Sequence, residues 1–128
     1  MIVPQDLRIS LWFIGYDNKP FQWLLNDFNA LFSKVEIDEI IKSPIELNPS
    51  ILKKIEGFEH IQGNFWGDSC FSIQLMIDSS ETPVIVYILQ VMDMNQFSKH
   101  SSVEIKYLHQ LQNVYYFKTN GKELTITL

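Results

Sequence analysis

Asp68, Ser69 and Cys70 stand side by side in GNFWGDSCFSIQLMIDSS, residues 63 to 80, and the chain carries three histidines, His60, His100 and His109. A serine or thiol nucleophile needs a base within hydrogen-bond reach, a group that orients the base, and donors for the developing oxyanion. Ser69 and Cys70 are the nucleophiles on offer, with His109 as the imidazole that would pair with the thiol. No residue of the sequence presents itself as the orienting third member. Alternation from 70 to 77 groups Cys70 with Ser72 and Gln74, so the thiol reads as a small strand residue. Metal binding has less support still. No two histidines are spaced i, i+4, and a single cysteine cannot supply a CxxC pair. Asp68, Asp78 and Asp93 would serve as paired carboxylates only if strand ends brought them together, and nothing in their spacing requires that.

Phe65-Trp66-Gly67-Asp68-Ser69 is similar to the first block of the GDS-type esterases, a resemblance that would make Ser69 the nucleophile. That family pairs the serine with a late Asp-x-x-His. The residues three before His60, His100 and His109 are Gly57, Phe97 and Lys106, none of them Asp. The block also falls in mid-chain, not on a first strand. The favoured reading is therefore not an enzyme, with a small hydrolase using Ser69 or Cys70 as the alternative. Tyr115-Tyr116-Phe117-Lys118 resembles a base-stacking platform. In a strand these rings point to alternate faces, and core packing accounts for them.

The elements that would position these residues follow from periodicity. Leu7, Ile9, Leu11 and Phe13 alternate and predict a strand, ended by Gly15-Tyr16-Asp17-Asn18. Phe21, Leu24, Leu25, Phe28, Leu31 and Phe32 recur at helical spacing, with Asn18 near the cap and Pro20 in the first turn. VEIDEIIKSP predicts a shorter helix ending before Pro44. In NPSILKKIEGF, Asn48 caps, Pro49 opens and Gly57 closes a short surface helix. Phe71, Ile73, Leu75 and Ile77 alternate as a half-buried strand. VIVYILQVM is apolar on both faces and belongs inside a sheet, with the long helix on one side. Val103, Ile105 and Tyr107 alternate, and VYYFKTNGKELTITL predicts a hairpin turning at Asn120-Gly121. The expected fold is α+β: an antiparallel sheet of about six strands, with one long and one or two short helices inserted after the first strand.

A chain of 128 residues with 46% hydrophobic and 13% aromatic content supports a single domain, 1–128, with a sizeable core. One cysteine excludes an internal disulfide and suits a reducing cytoplasm. The N-terminus lacks the features of a secretory signal, and the longest apolar run, Val84 to Met92, is too short to span a bilayer. A soluble cytoplasmic protein without cofactor or metal is expected.

Net charge is −5, and no Lys or Arg lies between Lys54 and Lys99, a segment holding Glu56, Glu59, Asp68, Asp78, Glu81 and Asp93. No basic stripe is available to neutralise phosphates, so nucleic acid is not the expected partner. An acidic middle suits a basic protein. Trp66 beside Asp68, with Trp12 and Tyr87, offers aromatic anchors for an interface, whereas Trp23 reads as core.

Size, acidity, absence of a catalytic signature and a strand-rich second half resemble the immunity proteins of bacterial polymorphic-toxin and contact-dependent growth inhibition systems. Phe65-Trp66-Gly67-Asp68 followed by FSIQLMID is similar to an aromatic-plus-acid signature in some of those families, although Gly67 stands where one of them often carries His. VEIKYLHQLQNVYYFKTNGKELTITL is similar to their closing strands. The resemblance implies stoichiometric binding of a cognate toxin domain, often a nuclease with a basic substrate channel, whose active site the protein blocks. The contact residues expected are Trp66, Asp68, Asp78, Glu81 and Asp93, with Glu36, Asp38 and Glu39 as a second patch. An adaptor or ligand-binding module is the remaining non-catalytic alternative.

Overall fold

The computed structural model describes residues 7–33, 35–68, 74–78, 80, 84–88, 103–119 and 121–128. They fall into two compact units, Met1–Ile45 and Glu46–Leu128.

In the first unit, β1 (Trp12–Ile14) is flanked by β2 (Pro20–Gln22) and β3 (Ser43–Pro44) in a three-stranded antiparallel sheet. Both outer strands contain proline, which lacks the N–H that an inner strand would need and is tolerated at an edge. Pro20 therefore does not open a helix, as its spacing suggested. The Gly15 N–H donates to the Lys19 carbonyl at 2.9 Å, and Asn18 adopts a φ of 63°. The chain thus folds back and commits Phe21 to pairing with Phe13. The helix begins later, as α1 (Leu25–Phe32), where Asp27 accepts the Leu24 N–H at 2.8 Å, half of a capping box. Phe28 and Leu31 pack against the buried cluster of Leu11, Phe13, Trp23 and Ile41. Trp23 is core, as expected, and meets the Phe28 ring edge-on at 5.4 Å. The alternation expected from Leu7 fails at Ile9, which is exposed, because Ser10 takes a φ of 81° and interrupts the extended backbone. A single turn, α2 (Ile37–Ile40), completes the unit.

The second unit opens with α3 (Pro49–Leu52). The Asn48 side-chain oxygen accepts the Ile51 N–H at 2.9 Å, Pro49 occupies the first helical position, and Gly57 takes a φ of 84° beyond the end. The Asn48 cap and the Pro49 start match the sequence expectation, whereas the helix ends at Lys53 and not at Gly57, which lies in the next turn, where the Phe58 N–H donates to the Ile55 carbonyl at 3.2 Å. Five strands follow: β4 (Phe58–Gln62), β5 (Phe65–Asp68), β6 (Gln74–Asp78), β7 (Ile85–Ile88) and β8 (Val103–Ile105). Each pairs antiparallel with the next, giving a meander in chain order. The fold is thus α+β, its antiparallel strands shared between a sheet of three and a sheet of five rather than one of about six. Leu75 and Ile77 are buried in β6, and adjacent Val86 and Tyr87 are both buried in β7, an inner strand apolar on both faces. Phe71 and Ile73, assigned to the same strand by their alternation, lie outside the described residues.

Two corrections concern this unit. Phe65–Asp68 is a strand in its own right, which the alternation starting at Phe71 does not predict. Gly63-Asn64 makes the turn, with positive φ at its first central residue only (54° at Gly63), which suits a type II′ hairpin. The register slips between His60 and Gln62, leaving Ile61 as the extra residue of a bulge. The second correction is larger. Leu108–Lys118 is a helix, α4, not the first half of a hairpin or a closing strand of the immunity-protein kind. Leu108, Leu111 and Gln112 are buried at helical spacing, and Tyr115 reaches Phe58 with ring centroids 6.3 Å apart. The Gln110 side chain accepts the Lys106 and Tyr107 N–H groups at 2.9 and 3.1 Å, closing the N-terminus. The Gly121 N–H donates to the Tyr116 carbonyl at 2.8 Å, a Schellman-type bond that ends the helix. Residues 125–127 then run against 54–56, with a bridge between Ile55 and Ile126.

Candidate functional site

Two surfaces collect the residues with chemical potential, one in each unit. In the first unit, α2 and its preceding residue carry Glu36, Asp38 and Glu39, all exposed. One turn with no buried residue cannot hide any of them. Among the described residues, none of these carboxylates forms an ion pair. Tyr16 stands beside them: its ring is 61% exposed and its hydroxyl donates to the Asp38 main-chain carbonyl. The turn that carries Tyr16 is tethered a second time through Lys42, whose ammonium donates to the Asn18 side-chain oxygen. A flat ring with one polar tip, fixed next to three negative charges, is a favourable anchor for a cationic surface. Nothing in the sequence marked Tyr16, because its partner lies 22 residues away.

In the second unit, a cleft of about 280 Å³ lies between α3 and the β4–β5 hairpin. Pro49 and Lys53 line it from α3 and the residue that ends it, His60, Trp66 and Ile77 from the strands, and Gly63-Asn64 from the turn. His60 and Trp66 are opposite each other in the ladder, with ring centroids 5.1 Å apart. A ring nitrogen of His60 is hydrogen-bonded to the Gly63 carbonyl, which tethers the imidazole to its own hairpin. Pro49 and Lys53, four apart, project from the same side of α3.

The contact residues expected from sequence fare unevenly. Trp66 is only 5% exposed and forms the floor of the cleft, so it is not the free aromatic anchor that its neighbours suggested. Its opposite number in β6, Leu75, is fully buried, and the pair share the packed face of the sheet. Tyr87 is buried too, and Trp12 is half-buried. Asp68 is placed by its backbone at the end of β5. Asp78 is half-buried at the end of β6 and accepts from both the N–H and the hydroxyl of Ser80, a local turn closure that occupies its carboxylate. Glu81, Asp93, Ser69, Cys70 and His100 lie outside the described residues. His109, the imidazole offered as a partner for the thiol, is buried in α4 and stacked on Tyr107, with ring centroids 6.1 Å apart. Among the described residues, only Glu36, Asp38 and Glu39 of the expected contacts are brought together as an exposed patch.

Among the described residues, no three His, Cys, Asp or Glu side chains are grouped as metal ligands would be. None of the described helices is long and apolar enough to cross a membrane. Compared with models of protein families, with curated proteins and with solved structures, the chain matches none.

Proposed function

We propose that this chain is an immunity-type protein: a stoichiometric inhibitor, not an enzyme, that binds a basic toxin domain in the cytoplasm and covers its active site or substrate path. The observation that carries the reading is the exposed triad of Glu36, Asp38 and Glu39, without an ion pair among the described residues and with Tyr16 fixed beside it. A nuclease channel is lined with cations that hold phosphate, and clustered carboxylates compete for the same cations and speed encounter at low salt. The aromatic ring supplies the desolvated contact that charges alone lack. Trp66 has no part in this interface, and Asp78 contributes at most through its charge, since Ser80 already occupies its oxygen.

The reading predicts that the gene immediately upstream encodes a large protein with a toxic C-terminal domain, and binding is tested with that protein. Its C-terminal domain should arrest growth when expressed alone, and the present chain should relieve the arrest and co-purify with that domain. Failure of both rescue and co-purification would remove the proposal.

A further inference from the structure

We propose that the cleft between α3 and the β4–β5 hairpin binds a small aromatic carboxylate. Its apolar lining is the ring of Pro49 together with the edges of Trp66 and Ile77 that border the cleft, both side chains being otherwise buried. A volume of about 280 Å³ lies at the small end of ligand pockets and favours one ring system over an extended chain. Burying an apolar ring against these groups provides the attraction, and the tethered His60 holds the indole in place from the opposite strand. The one charged group in the lining is Lys53, exposed at the end of α3 and without an ion-pair partner among the described residues. No carboxylate lines the cleft. A single ammonium matches a monoanion, and the Asn64 side chain adds an amide for the carboxylate to meet. Phosphate esters fit less well, because they call for several donors or a bidentate arginine fork, which these residues do not provide. The site draws on none of the residues of the acidic patch, so it does not depend on the toxin-binding reading.

Titration of the full-length ¹⁵N-labelled protein with indole-3-acetate, and separately with its uncharged isostere indole-3-acetamide, tests the assignment. Indole-3-acetate should produce saturable shifts at the Trp66 indole N–H and the Asn64 amide. The acetamide should bind the same residues roughly three- to tenfold more weakly, the range between an exposed ion pair and a charge-assisted hydrogen bond. Lys53→Gln alters an exposed side chain and should keep the fold, erase the difference between the two probes and leave acetamide binding unchanged. Absence of saturable shifts at millimolar probe, or a difference that persists in Lys53→Gln, would overturn the proposal.

Discussion

Asn48→Ala isolates the interaction that shapes one wall of the cleft. Asn48 accepts the Ile51 N–H at 2.9 Å in a partly buried setting, and α3 is a single turn that has little helical stability of its own. Removing an N-cap oxygen costs about 0.5–2 kcal/mol in general. Here the abandoned N–H is partly shielded from water, which places the expected loss in the upper half, about 1–2 kcal/mol. With a urea slope of roughly 1–3 kcal/mol per molar for a small domain, the midpoint should fall by about 0.3–2 M. Asn48→Asp keeps the acceptor and should stay near wild type, while Asn48→Gly should lose only a few tenths of a kcal/mol. Urea denaturation read from the amide signals of α3 and of the β4–β5 hairpin gives all three values. An Asn48→Ala midpoint equal to wild type, or an Asn48→Asp loss as large as that of Asn48→Ala, would refute the cap. Because Pro49 and Lys53 sit on the same turn, Asn48→Ala should also weaken indole-3-acetate binding without touching the ligand.

Three further outcomes probe the fold. Leu111→Ala empties a fully buried position in α4 and should cost about 2–5 kcal/mol in denaturant midpoint analysis, whereas a cost below 1 would argue against a packed helix there. Gly121→Ala should cost about 1–2 kcal/mol by the same measurement: its φ of 101° disfavours a side chain even though the nearest atom, on the Tyr116 ring, lies 3.8 Å from an added Cβ. Phe117→Ser changes a ring that is 79% exposed, so stability should stay within about 0.5 kcal/mol of wild type.

The parts of the fold legible in the sequence are those decided by neighbours a few residues apart. Asn48 and Pro49 spell the start of a helix, and Leu75 with Ile77 spells one face of a strand. The errors fall where one local signal serves two structures. Asn120-Gly121 is a hairpin turn by one rule and a helix terminus by another, and the buried stripe of Leu108, Leu111 and Gln112 decides for the helix. Pro20 suits a first helical turn and an edge strand equally, and the long-range pairing of Phe21 with Phe13 decides for the strand. The candidate site divides the same way. Glu36, Asp38 and Glu39 are close in sequence and on one exposed turn, so they could be found. Trp66 looked like an interface residue beside Asp68, but its ladder partner Leu75 comes from the next strand and buries it. Gly63-Asn64 between apolar runs was the available sign of the hairpin that carries the cleft.

Co-purification of this chain with the toxic C-terminal domain that the proposal expects to be encoded upstream, with and without the triple change Glu36→Lys, Asp38→Lys and Glu39→Lys, tests the central claim most directly. The account predicts a one-to-one complex that weakens as salt rises, and a folded triple variant that neither binds the domain nor restores growth. No complex with the wild-type chain, or a triple variant that binds and protects as well as wild type, would contradict it.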